Sequence, residues 1–313
     1  MKSGLKIIFM GTPDFAVPAL QALHKNKNDV ALVITQPDRP KGRGRKITPP
    51  PVKTAALQLG YAVVQPVSIK TRAIEDILLT QKPDITVVVA FGHILPQNIL
   101  AVSKLATINV HASLLPKYRG PAPIHWAIIN REDETGVTTM LMDEGMDTGN
   151  ILLSATIKIT PDDTAGSLHD CLALMGADLL VRTLKTIEKE GLQPVSQDHA
   201  RATYAPLLKK EDGRIDWKQP AESLDPFIRG MTPWPGAFTF HKDRHLKIFK
   251  ARPVPMEVNA PPGTIIKGFS GELRVATGKG VLSIHEVQGA SGKRLLIKDF
   301  LRGCEILPGT VLS

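Results

Sequence analysis

Asn109 and His111 stand two residues apart in the run Thr107-Ile108-Asn109-Val110-His111, which passes directly into Ala112-Ser113-Leu114-Leu115-Pro116-Lys117-Tyr118-Arg119-Gly120. In an extended strand, residues i and i+2 lie on one face. The amide and the imidazole therefore point the same way, while Ile108 and Val110 point into a core on the other side. An amide offers two N–H donors, and an imidazole gives or takes a proton near neutral pH. Such a pair suits holding negative charge on a carbonyl oxygen while a proton moves. Asp143-Glu144-Gly145-Met146-Asp147-Thr148-Gly149 is a glycine-flanked acidic turn between two strand patterns. A carboxylate from it, reaching His111, would fix the imidazole tautomer and favour its charged form. By residue type alone, a turn-capping asparagine beside a satisfied histidine, followed by a turn of solvated acids, is the better fit.

Positioning those groups requires a sheet. The first two hundred residues alternate β-branched runs with helical periodicity, which predicts a parallel α/β sheet of Rossmann-like type. Strands are expected over 5–10, 30–35, 62–64, 85–90, 107–111, 136–143 and 150–159. Helices are expected over 15–25, 51–59, 73–81, 123–130 and 165–190. Gly11-Thr12-Pro13-Asp14 after the first strand lacks the GxGxxG spacing of a dinucleotide site. From about Ala205 the pattern changes to short alternating strands punctuated by Gly and Pro, over 237–241, 246–251, 263–267, 272–276 and 281–287. That texture predicts a small β-barrel.

Charge is unevenly placed. The chain of 313 residues carries a formal +9, of which the segment 37–53 holds +5 and residues 209–313 hold +6, leaving the remainder slightly acidic. Segment 37–50 has prolines, glycines and alternating bases without apolar periodicity, and is expected to be a mobile surface loop. A cationic loop and a cationic last third on a near-neutral body suit a polyanionic partner, and equally suit a merely solvated surface. Cys171 and Cys304 match no metal spacing, and no apolar run reaches membrane-spanning length. The chain opens directly into its first strand, so a cytoplasmic protein with reduced thiols, no metal and no membrane contact is expected. Trp234, between two prolines, is expected to plug a small β core, with stacking on a nucleobase as the other reading.

Asn109-Val110-His111-Ala112-Ser113-Leu114-Leu115-Pro116, with Gly145-Met146-Asp147-Thr148-Gly149 downstream, resembles the 10-formyltetrahydrofolate-dependent formyltransferases. The openings Phe9–Ala16 and Thr35–Pro40, the segment Tyr118–Ile124 and Met231–Ala237 extend the likeness over most of the chain. It implies that Asn109, His111 and Asp147 are catalytic. It implies that Phe91, Gly92, His93, Ile94 and Leu95, with Ser113, Leu114, Leu115 and Pro116, receive the folate. It further implies an oligonucleotide-binding-fold-like C-terminal barrel. Within the family the likeness points to the branch that formylates methionyl initiator tRNA at the start of protein synthesis. Arg39, Lys41, Arg43, Arg45 and Lys46 of the basic loop, with Lys209 and Lys210, would then contact tRNA.

The implied organisation is a formyltransferase domain over 1–204, a linker over 205–213 and a tRNA-binding barrel over 214–313. The implied chemistry moves the formyl group of 10-formyltetrahydrofolate to an α-amino group, in a protein expected to act as a monomer. A sugar-nucleotide amine as acceptor, or a non-catalytic RNA-binding protein, are the competing readings.

Overall fold

The computed structural model describes residues 4–42, 44–290 and 292–313. The chain folds into two compact units, one of Met1–Pro123, Thr135–Ile157 and His169–Ala205, the other of Ile124–Glu134, Lys158–Leu168 and Pro206–Ser313.

The first unit is built on β1 (Lys6–Gly11), β2 (Asp29–Ile34), a ribbon of β3 (Arg39–Lys41) and β4 (Lys46–Thr48), β5 (Val63–Val64), β6 (Ile85–Val89), β7 (Ala106–His111), β8 (Glu134–Leu141) and β9 (Ile151–Lys158). Seven of these form one sheet in the order β5-β2-β1-β6-β7-β8-β9. The pairs from β5 to β7 are parallel and β7–β8 is antiparallel. Central strands read as unbroken apolar runs because helices cover both faces; every residue of β6 is buried. The helices of this unit are α1 (Val17–Lys25), α2 (Pro51–Gln58), α3 (Arg72–Gln81), α4 (Gln97–Leu100) and, from His169 onward, α6 (Ala165–Glu190), whereas α5 (Pro123–Ile129) belongs to the second unit from Ile124 onward. On one side of the sheet Ile8, Met10, Ile34, Val88, Phe91, Leu95 and Leu100 share a core against which Met142 packs. Burying each such aliphatic side chain contributes about 1.5–3 kcal/mol. α6 crosses the neighbourhood of Val110, where a Cβ on Gly176 would stand only 3.0 Å from Val110 Cγ1. Val110 is thereby sealed under α6, and Asn109 and His111 face away from that helix.

The basic segment is an ordered two-stranded ribbon, with Arg39 opposite Thr48, Pro40 opposite Ile47 and Lys41 opposite Lys46. The expected mobile loop lacked an apolar period because the ribbon has only three residues a side and almost no core. Gly42, at φ 74°, supplies the left-handed turn. Its base is tied by Asp38, whose carboxylate accepts from Gln65 at 2.7 Å and Lys53 at 2.8 Å. These hydrogen bonds, Gln65 first and Lys53 next, hold the Asp38 carboxyl below its ordinary range.

The second unit contains α7 (Ala221–Met231), β10 (Ala237–His241), β11 (Arg244–Val254), β12 (Ile265–Ile266), β13 (Leu273–Ala276), β14 (Val281–Gly289), β15 (Leu295–Leu296) and α8 (Ile297–Phe300). The antiparallel order is β10-β11-β14-β13-β12, with β15 beside β14. Residues 310–313 fill the gap between its two ends. Ile265 N–H donates to Thr310 O at 2.7 Å and Leu312 N–H to Gly263 O at 2.9 Å, while Phe240 and Ser313 exchange bonds of 2.8 and 3.1 Å. The sheet therefore curls into the expected barrel. Deleting residues 310–313 removes these bonds and the buried Leu312 (2 % exposed). It is expected to destabilise this unit by at least about 2 kcal/mol, seen as an earlier thermal transition by calorimetry.

α7 was not expected, because Pro226 inside it and Gly230 near its end break a helical reading. It forms nonetheless because Leu224, Ile228 and Met231 bury one face. Gly230 lets it approach α5, where a Cβ would fall 2.5 Å from Ile129 Cγ1. The Pro-Trp-Pro tryptophan does not plug the core: Trp234 is 48 % exposed, and it is Trp217 (5 % exposed) that is buried, donating to Thr239 Oγ1 at 3.0 Å. Arg252 is engaged by Asp225 at 2.8 Å and by Asp162, which removes it from the free cations of this unit. Among the described residues no helix is long and apolar enough to cross a membrane.

Candidate active site

β7 delivers Asn109 and His111 about 6.7 Å apart on one face, and the acidic turn after β8 folds back over that face. Asp147 Oδ1 lies 3.4 Å from Asn109 Nδ2 and 3.7 Å from His111 Nδ1. Three side chains separated by up to 38 residues thus meet at one carboxylate oxygen. The turn is wound by Asp143, whose Oδ1 accepts from Gly145 N–H at 3.0 Å and Thr148 Oγ1 at 2.6 Å. Asp147 itself takes φ 55°, a left-handed conformation unusual outside glycine. Its second oxygen accepts from Gly120 N–H at 2.8 Å.

His111 is buried (6 % exposed), and its Nε2 stands 2.9 Å from the carbonyl oxygen of Tyr118. A carbonyl only accepts, so Nε2 carries the proton. The tautomer is therefore set by Tyr118 and not by the carboxylate, as the sequence had suggested; Asp147 faces the other nitrogen. Neutral His111 presents a lone pair at Nδ1, and the imidazolium presents an N–H there beside an anion. Asn109 spends one amide N–H on Asp147 and keeps a second for an incoming oxygen.

A cavity of about 720 Å³ is lined by Leu100, Ala106, Thr107, Leu141, Met142 and Asp143–Gly145 among others, and none of Asn109, His111 and Asp147 is among its lining residues. Thr107 lines it, and Asn109 and His111 follow on the same face of β7 by the two-residue period. The acidic turn contributes both the cavity rim and Asp147.

The segment expected to receive folate leaves β6 at the point where strand order reverses. Ligand crevices of open α/β sheets form at such points. Phe91 and Leu95 are buried in the core, Ile94 is 77 % exposed, and Gly92 turns at φ 80°. Phe91 O accepts from Thr12 Oγ1 at 2.9 Å and from Gln36 Nε2 at 3.1 Å. A Cβ on Gly92 would stand 2.6 Å from that Gln36 nitrogen. His93 tilts against Phe91 with ring centroids 5.2 Å apart, and its Nε2 is buried without a hydrogen-bond partner among the described residues. Ser113, Leu114, Leu115 and Pro116 follow β7, with Ser113 and Leu115 buried and Leu114 and Pro116 half-buried. Ser113 Oγ donates to Lys117 O at 2.6 Å and Ser113 O accepts from Thr138 Oγ1 at 2.7 Å, so both groups are used within the scaffold.

Arg39, Lys41 and Lys46 are exposed and share one face of the ribbon, since directly opposed residues of an antiparallel pair lie on the same side. Pro40 and Ile47 make the other face. Arg45 is exposed in the turn, and Arg43 lies outside the described residues. Lys209 and Lys210 are exposed in the second unit.

Sequence reasoning missed Tyr118 O and Gly120 N–H because main-chain groups carry no residue signal. It also missed Arg119 and Gln197, which stand behind Asp147, and Gly176, which stands behind Val110.

A family model described as formyl transferase matches residues 5–184, and a second, described as the C-terminal domain of formyl transferase, matches 207–305. The methionyl-tRNA formyltransferase of Desulfotalea psychrophila is 48% identical over 312 residues, 100% of this chain and 97% of the relative. That of Pelotomaculum thermopropionicum is 49% identical over 310 residues, 99% of each. Among solved structures, the N-formyltransferase of Helicobacter canadensis in complex with folinic acid and dTDP-3-aminofucose aligns with TM-score 0.69 at 21% identity, over 93% of this chain and 100% of that one. HypX of Aquifex aeolicus in complex with tetrahydrofolic acid aligns with TM-score 0.63 at 17% identity, over 95% of this chain and 47% of that one. At such identities these two share the fold. The sequence matches over both units establish that the chain belongs to the formyl transferase family and is a group-transferring enzyme.

Proposed function

We propose that the protein transfers the formyl group of 10-formyltetrahydrofolate to the α-amino group of methionyl initiator tRNA. The convergence of Asn109, His111 and Asp147 on one point is the observation that carries this reading, with Thr107 and Gly145, each two residues before a member of the cluster, lining the cavity. The pterin end of the donor enters the cavity, where Leu100, Leu141 and Met142 offer apolar walls and the acidic turn offers main-chain groups. The unpartnered His93 Nε2 nearby in the chain is a polar group that a ligand would satisfy.

The amino group of an aminoacyl ester is a weaker base than an ordinary α-amino group, which titrates near roughly 7.7–8. A neutral, nucleophilic fraction is therefore present without a strong base. Attack on the formyl carbon forms the C–N bond and places negative charge on the formyl oxygen. The free N–H of Asn109 and the Nδ1–H of charged His111 donate to that oxygen. One such donor typically contributes about 3 kcal/mol to the transition state. Asp147 holds both donors and orders the water that takes the ammonium proton. Collapse breaks the bond to the folate nitrogen, which gains a proton through His111 or that water. Formylmethionyl-tRNA and tetrahydrofolate result.

The ribbon supplies the acceptor's electrostatic handle. Lys41 and Lys46 are directly opposed, and like charges in that arrangement destabilise a ribbon by themselves. A polyphosphate partner relieves the repulsion. The Lys41→Ala/Lys46→Ala variant is expected to raise KM for methionyl-tRNA about tenfold or more at moderate salt, with KM for the donor within about twofold, and to flatten the salt dependence. Arg43→Ala should act in the same direction. Equal losses for both substrates would remove the ribbon from tRNA recognition.

One assay decides the acceptor. Donor is supplied with methionyl initiator tRNA, methionyl elongator tRNA and a sugar-nucleotide amine in parallel. The initiator tRNA is expected to be labelled, and preferential labelling of the sugar amine would overturn the reading. The fold neighbour solved with dTDP-3-aminofucose makes that control necessary.

A further inference from the structure

Arg119 is 2 % exposed, yet among the described residues its guanidinium pairs with no carboxylate. Its guanidinium instead donates from Nε and Nη2 to a single acceptor, Gln197 Oε1, at 3.2 and 2.7 Å, and from Nη2 towards His199 Nδ1 at 3.0 Å. A buried cation is costly unless its hydrogen bonds do something. Here they fix the Gln197 amide, since its oxygen must face the guanidinium and its nitrogen must face away. That nitrogen donates to two main-chain carbonyls of the acidic turn, Asp147 O at 2.9 Å and Gly149 O at 2.7 Å.

The main chain around Arg119 reaches the same turn from the other side. Tyr118 O accepts from His111 Nε2, and Gly120 N–H donates to Asp147 Oδ2. Arg119 N–H and O are themselves pinned to Thr203 and Ala205 at 2.9 and 2.8 Å. A closed ring results, in which residues 118–120 hold the imidazole and the carboxylate directly and hold the peptide of Asp147 through Gln197. Asp147 needs this support, because a non-glycine residue at φ 55° is held there only when its surroundings over-determine it.

We propose that Arg119 and Gln197 are positioning residues for the reaction. The guanidinium polarises the Gln197 amide, and the amide clamps Asp147 in the left-handed conformation that aims its carboxylate between Asn109 and His111. Neither touches substrate. They act on the geometry of the group that orients both oxyanion donors, where a displacement of about 1 Å is enough to cost about a hundredfold. The inference rests on the assignment of Asp147 to the reacting centre.

The decisive variant is Gln197→Glu. It replaces the amide by a carboxylate that pairs with Arg119, so it supplies the buried cation with a counter-ion, and it removes both N–H donors to the turn. A residue that serves only to satisfy Arg119 would be replaced without loss. A positioning residue would not. The expected result is a kcat lowered about a hundredfold, KM for both substrates within about threefold, an unfolding midpoint lowered less than in Gln197→Leu because Arg119 gains a counter-ion, and a displaced pH profile of kcat. Gln197→Leu should show the same kcat loss together with reduced stability, and Arg119→Lys an intermediate kcat. Unchanged kcat and pH profile in Gln197→Glu would overturn the proposal. Asp147→Asn separates it from the site assignment: an active Asp147→Asn defeats the assignment itself, whereas an inactive Asp147→Asn with a fully active Gln197→Glu defeats only the role of Arg119 and Gln197.

Discussion

Asn109→Ala is expected to lower kcat for formyl transfer by about 10²–10³-fold, the usual cost of removing one donor to a developing oxyanion. The unfolding midpoint should change little. Its amide is only partly buried and makes one long bond, 3.4 Å to Asp147, so its loss leaves no deep cavity and no strongly unsatisfied group. Donor affinity should hold, because the cavity walls are other residues. Asp147→Ala should lose at least as much, since it also frees Gly120 N–H and His111 Nδ1 from their anion. Single-turnover rates with saturating methionyl-tRNA measure both. Turnover at the unmodified rate in either variant removes the cluster from the chemistry.

Gly120→Ala is the second large effect, and it reaches both stability and rate. Gly120 sits at φ 111°, a region that side chains of L-residues rarely enter, and an added Cβ would stand 2.9 Å from the carbonyl oxygen of Ala205. That atom is main chain and cannot swing aside, because Ala205 is bonded to Arg119 and Ala122. Strain of this kind costs about 1–3 kcal/mol. Relieving it must shift the Gly120 N–H away from Asp147 Oδ2. We therefore expect an unfolding free energy lowered by that amount and a kcat lowered by about a hundredfold, from a protein still folded at 25 °C. A variant with lowered stability but unaltered kcat would show that the Gly120 bond to Asp147 is dispensable.

Much of the first unit was legible because its signals are local. Strands buried on both faces read as apolar runs, and the i, i+2 relation of Asn109 to His111 follows from the pleat of any strand. The extent of α6 was announced by a capping cluster before it and Gly191 after it. Where local signals were thin, the reading weakened. The β3–β4 ribbon has three residues a side and little to bury, so it resembled a loop. α7 carries Pro226, and its helical state is decided by the apolar face it lays on the barrel.

The sequence by itself determined the strand order's raw material, the cationic segments and the residue types at the proposed reacting centre. Each of these is a property of a residue and its near neighbours. Tertiary structure alone decided that Asp147 reaches Asn109 and His111, that Tyr118 O chooses the imidazole tautomer, and that Arg119 and Gln197 stand behind the acidic turn. It also decided that residues 310–313 close the barrel. These depend on main-chain hydrogen bonds between segments tens of residues apart, and a peptide group is the same in every residue. No residue pattern along the chain can therefore say which carbonyl a buried nitrogen will meet.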